Sequence, residues 1–105
     1  QRGVHAHVGS QILEAEPLAA AAAPLAALGT FDIYDLGGGL GARYTWADQP
    51  PTVADYLDVL IQAAREHLPS DAQIIIEPGR SMVATSAATI YRVITIKRGQ
   101  TTFVA

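Results

Sequence analysis

The sequence predicts an α/β chain in which three parallel strands alternate with two helices and a β-rich stretch follows. Three observations carry this. Short apolar runs at 3–8, 31–36 and 72–77 are each closed by glycine, serine or proline. Segments of helical composition or helical period separate them. The third run, Ile74-Ile75-Ile76, is apolar on both faces, as in parallel strands covered from both sides.

The first strand is expected over 3–8 and ends at the Gly9-Ser10 turn. A helix is expected over 12–28, with five consecutive alanines from Ala19 to Ala23 giving a flat packing face. Pro17 suits its first turn. Pro24 does not suit an interior, so a kink or break is expected there. Gly29 ends the segment. The strand Phe31 to Leu36 runs straight into Gly37-Gly38-Gly39-Leu40-Gly41 and then an irregular stretch with two prolines. Thr52 and Asp55 have capping-box spacing and predict a helix start. Val53, Tyr56, Leu57, Leu60, Ile61 and Ala64 form its apolar stripe. A strand at 72–77 ends in Pro78-Gly79. Thr89 to Lys97 and Thr101 to Ala105 then read as two strands joined by Arg98-Gly99-Gln100. The strand–helix order predicts right-handed crossovers.

Half of the 105 residues are hydrophobic, and only 16% are charged. That is enough apolar material for a core, and the low charge fraction predicts that part of the surface is normally covered. The net charge of −3 argues against nucleic-acid binding, which needs a basic face. The chain has no cysteine, hence no disulfide framework and no thiolate metal site. No apolar run is long enough to span a bilayer, so a cytoplasmic location without a membrane partner is expected. The apolar run beginning at Val4 and the stop at Phe103-Val104-Ala105 inside a strand predict an internal segment of a longer polypeptide.

The chemistry gathers at three strand ends: His5, His7 and Ser10; Gly37, Gly38 and Gly39; Glu77 and Arg80. In parallel α/β proteins this edge is where ligands bind. Successive glycines form an anion nest or, alternatively, a tight turn that needs positive φ. Gly37-x-Gly39-x-x-Ala42 also fits the dinucleotide fingerprint, but no helix opens directly after it and the acidic strand end about 20 residues on is missing. Glu77 at the end of an apolar strand needs a partner. That partner is Arg80 in a structural ion pair, or a ligand nitrogen, with Arg80 free to bind a phosphate or carboxylate. His5 and His7 share a strand face. No third ligand stands at a clear spacing, so no metal centre is expected, and an imidazole beside an anion nest can stack on a planar ring.

The segments HVGSQ, DLGGGLG and EPGRS, in this order, resemble the fold-type III pyridoxal-phosphate decarboxylases, and within them the diaminopimelate decarboxylases. Gln11, Leu40-Gly41 and Ser81 favour that branch, and Tyr44-Thr45, Pro50-Pro51 and the trailing RVITIKRGQTTFVA add to the likeness. The resemblance implies a (β/α)8 barrel followed by a β-rich domain. Residues 4–10, 31–39 and 73–80 would be its last three strands. Residues 1–85 would belong to the cofactor-binding barrel and 86–105 to the start of the β domain.

It also implies roles. His7 would stack on the ring of pyridoxal 5'-phosphate, and Ser10 with Gly37, Gly38 and Gly39 would hold its phosphate. Glu77 would pair with the pyridine nitrogen, keeping the ring an electron sink. Pro78, Gly79 and Arg80 complete the motif, with Arg80 on the phosphate and the substrate carboxylate. The implied reaction is decarboxylation of meso-diaminopimelate to L-lysine and CO2 in a homodimer with shared active sites. The alternatives are another decarboxylase of the same fold, acting on ornithine, arginine, carboxynorspermidine or a carrier-bound amino acid, or a non-catalytic cofactor-binding barrel. The family's Schiff-base lysine and its partner-subunit cysteine have no counterpart here. The single lysine, Lys97, falls in the late strand region, so the segment alone is expected to be inactive.

Overall fold

Strands β1 (Gly3–His5), β2 (Ile33–Asp35) and β3 (Gln73–Ile75) form one parallel sheet in that spatial order. The protein is described by a computed structural model covering residues 2–105. The register places Val4, Tyr34 and Ile74 in one row and His5, Asp35 and Ile75 in the next. Successive side chains of a strand point to opposite faces, so these rows face opposite ways. The strands are shorter than the sequence predicts. Single backbone bonds continue the ladder past their ends: Ala6 N–H to Asp35 O, Leu36 N–H to Ile75 O and Glu77 N–H to Gly37 O.

The helices cover the Tyr34 face. Tyr34 and Leu36 are buried among Leu18, Ala22, Leu25, Leu40, Tyr56 and Leu60. The Tyr34 hydroxyl donates to Gly29 O and accepts from the Phe31 N–H, which satisfies the one polar group that Tyr34 brings into this core. The alanine-rich segment is two short helices, α1 (Glu16–Ala19) and α2 (Ala22–Ala27), rather than one. Pro17 lies in the first turn of α1, as expected. The break falls at Ala20-Ala21 and not at Pro24 itself. Pro24 has no N–H for the carbonyl four residues back, and its ring would strike that carbonyl, so the chain opens there.

Helix α3 (Val53–His67) starts at Thr52 with both capping-box bonds in place. Of its apolar stripe, Tyr56, Leu60 and Ala64 are buried and Leu57 is half-buried. Val53 and Ile61 are exposed, so the stripe is wider than the surface that covers it. The expectation that β3 is covered on both sides also fails, because Ile74 is exposed and Ile75 and Ile76 are half-buried. β3 pairs with β2 alone, which leaves its other edge open among the described residues. A second correction concerns Arg80. It opens a short helix, α4 (Arg80–Val83), instead of closing a strand.

The last segment is a hairpin of β4 (Ile96–Arg98) and β5 (Thr102–Val104), antiparallel as expected. Residues 89–95 form no strand, although Ile94 and Thr95 bond to the Ala105 carbonyl. Every residue from 85 onward is exposed. The radius of gyration is 18.0 Å, against about 13 Å for a compact domain of about this length. No helix among the described residues is long and apolar enough to cross a membrane.

Candidate functional site

Two residues beyond the strands, the register brings His7, Gly37 and Glu77 into one row on the face away from the helices. Glycine in the middle of that row is a steric requirement. A Cβ at Gly37 would collide with Ala6 O and lie 3.2 Å from the His7 ring nitrogen Nδ1. A Cβ at Gly38 would collide with Glu77 O. The ends of β1 and β3 therefore close over a side-chain-free stretch of the middle strand. Gly39 has φ +120° and faces Gly9 O and Leu18, so the third glycine seats the loop on the core.

The glycine run is a narrower nest than the sequence suggests. The Gly37 N–H is already taken by Asp35 Oδ1 at 2.9 Å. The Gly38 N–H makes a long 3.4 Å bond to His7 Nδ1. Neither the Gly39 nor the Leu40 N–H donates to any described residue. Gln11 fixes the exit of the loop. Its side chain donates to Ala42 O at 2.6 Å and accepts from the Ala42 N–H at 3.1 Å, from a backbone with φ 58°. Sequence reasoning gave Gln11 no structural role, because its partner lies 31 residues away.

The Glu77–Arg80 ion pair left open by the sequence does not form. Glu77 Oε2 meets His5 Nε2 at 3.5 Å. The Arg80 guanidinium instead donates to the Tyr44 hydroxyl at 2.7 Å and lies 5.6 Å from the centre of that ring. Among the described residues no carboxylate pairs with Arg80. Tyr44 is held in turn by Asp48, whose carboxylate accepts from the Tyr44 and Thr45 N–H groups at 2.9 and 2.7 Å. These backbone bonds hold Asp48 below the usual carboxylate range.

His7, Ser10, Gly39, Glu77, Gly79 and Arg80 surround one cavity of about 190 Å³, with Gln11 and Leu40 completing its wall. Gly37, Gly38 and Pro78 are not among the residues that line it. Gly79 has open space where a Cβ would be, so nothing steric demands glycine there. The sequence found no third ligand for a His5–His7 metal pair. The structure supplies Glu77, with one ligand atom from each of the three residues all within 4.8 Å of one another.

The pyridoxal-binding domain of the pyridoxal-dependent decarboxylases matches residues 2–84. This chain belongs to that family. The diaminopimelate decarboxylase of Archaeoglobus fulgidus is 36% identical over 98% of the chain. The Helicobacter pylori diaminopimelate decarboxylase, in a crystal structure with L-lysine, superposes over 98% of the chain at a TM-score of 0.70 and 35% identity. The Vibrio vulnificus lysine/ornithine decarboxylase, at 19% identity and a TM-score of 0.73, shows the shared fold alone. The chain spans 27% of the length of the Archaeoglobus relative and of the Helicobacter chain, and 30% of the Vibrio chain.

The family's cofactor is pyridoxal phosphate, and the donor set fits it. Two N–H groups and an arginine that have no acceptor or carboxylate partner among the described residues, together with the Ser10 hydroxyl, suit a phosphate. A carboxylate and an imidazole on the same cavity wall suit a protonated heteroaromatic ring.

Proposed function

We propose that this chain is the cofactor-gripping edge of a pyridoxal phosphate-dependent decarboxylase that converts meso-diaminopimelate to L-lysine and CO2. The observation that carries the reading is the convergence of His7, Ser10, Gly39, Glu77 and Arg80 on one cavity at the carboxyl ends of parallel strands. Bound there, the pyridoxal ring would supply an electron sink for the carbon that loses its carboxylate. Glu77 holds a proton on the ring nitrogen by placing a negative charge against it. His7 covers the ring face. Ser10, the N–H groups of Gly39 and Leu40, and Arg80 take the phosphate dianion, and Arg80 reaches the substrate carboxylate. Gly37 and Gly38 let the flanking strands close on the site. Pro78 and Gly79 turn the chain from Glu77 to Arg80.

The reading assigns residues 1–85 to a (β/α)8 barrel and 86–105 to a β-rich domain, with the remaining strands and the nucleophilic lysine on further polypeptide. Two apolar grooves support this. One beside β1, of about 360 Å³, is lined by Ala6, Val8, Leu25 and Leu28. One beside β3, of about 330 Å³, is lined by Leu57, Ile61, Ile74 and Ile76. Both lie where the next barrel strands and helices would pack. Lys97 is on β4 in the exposed hairpin and is not among the residues lining the cavity. A cytoplasmic homodimer with shared active sites goes with this reading.

The test is CO2 release from meso-diaminopimelate by the full-length protein with pyridoxal phosphate. Absence of release sinks the assignment. A second reading is a decarboxylase of the same family that acts on ornithine or arginine, since the pyridoxal-binding domain that matches residues 2–84 is common to the pyridoxal-dependent decarboxylases. Turnover of ornithine or arginine in preference to meso-diaminopimelate would establish it.

A further inference from the structure

We propose that His5, His7 and Glu77 form a binding site for a divalent transition ion such as Zn2+, which the cofactor-free protein takes up and pyridoxal phosphate excludes. The exclusion rests on the cofactor role proposed for Glu77 and His7. The ion site rests on geometry alone. His5 Nε2 and Glu77 Oε2 are 3.5 Å apart. Two ligands each about 2.0–2.1 Å from a tetrahedral ion are about 3.4 Å apart, so this pair needs almost no movement. His7 completes a set with every ligand atom within 4.8 Å of the others.

The set is available. The His5 and Glu77 side chains are each 52% exposed. Among the described residues the His7 ring is held only by the 3.4 Å bond that its Nδ1 accepts from the Gly38 N–H. Two imidazoles and one carboxylate suit Zn2+, Co2+ or Ni2+ better than Mg2+ or Ca2+, which take oxygen ligands. Gly37 stands between His7 and Glu77 in their row, and a side chain there would crowd the His7 ring. His5 is the one member with no part in the cofactor reading, which makes it the discriminating position.

The experiment uses the full-length polypeptide stripped of cofactor. Co2+ is titrated in while its visible absorption is followed, and Zn2+ is added as competitor. The expected result is one ion per chain, with His5→Ala weakening Zn2+ binding at least about tenfold. With Zn2+ at ten times its own dissociation constant, the apparent affinity for pyridoxal phosphate falls about tenfold in the parent protein. No Co2+ absorption, or uptake unchanged in His5→Ala, overturns the site. Uptake that pyridoxal phosphate cannot displace overturns the exclusion. Pyridoxal phosphate binding in the metal-free protein is read separately from the cofactor's own absorbance. Its failure would sink the proposed function and the exclusion while leaving the ion titration readable.

Discussion

Tyr34 on β2 and Leu36 just beyond it are 0% and 1% exposed under the helices, whereas Glu77, just beyond β3 on the opposite face, keeps a 52% exposed side chain. The helix-facing rows are apolar and their one phenol is fully bonded. The opposite rows carry His5, His7, Asp35 and Glu77, bonded to one another or to the glycine loop. Stability and chemistry are thus assigned to alternate residues of the same three strands. A period of two separates them so completely that mutations can address one without the other.

The sharpest way to break this comparison is a paired substitution. Leu36→Ala should cost the full-length protein about 2–5 kcal/mol, and His5→Ala no more than about 0.5 kcal/mol. Equal shifts in urea midpoint would show that the two faces do not divide the work. Gly38→Ala tests the seam between the faces, since its Cβ meets the Glu77 carbonyl. A loss of about 1–3 kcal/mol is expected, together with release of pyridoxal phosphate. Gly79→Ala, with open space at its Cβ, should leave the melting temperature in place.

A smaller effect belongs to Tyr44→Phe, which keeps the ring beside Arg80 and removes the 2.7 Å bond. Pyridoxal phosphate affinity should fall about two- to tenfold, with the melting temperature unchanged. Smallest is the pH response of Asp48. Its pKa in the folded protein is lowered from 3.8, so its contribution to the 44–48 turn is whole above that value. It is lost as pH falls through the lower folded value. The Tyr44 and Thr45 amide resonances should shift in that acid window, and Asp48→Asn should remove the response.

Much of the fold was legible. The capping box at Thr52–Asp55 and the turn chemistry after each strand are local, and they stand where the sequence puts them. The hairpin was legible for the same reason, though only near its turn. Pro24 announced a broken helix, but the break lies at the carbonyl it cannot bond. The apolar stripe of α3 and the run Ile74–Ile76 predicted more cover than the described residues provide, because periodicity records which surfaces are to be buried and not what buries them.

The site divides similarly. His7, Ser10, Gly39, Glu77 and Arg80 could be named from motif order, since each closes or follows a strand. Their partners could not. Arg80 is held by Tyr44 at a separation of 36 residues, and Gln11 grips Ala42 at 31. The sequence by itself determined the parallel strand–helix order, the helix start and the residues at the strand ends, all set by interactions within a few positions. Only the tertiary structure decided that Glu77 faces His5 rather than Arg80. It also decided that the Gly37 N–H is used internally and that three strand ends close on one cavity. Those outcomes depend on strand register and close backbone approach, which no local propensity encodes.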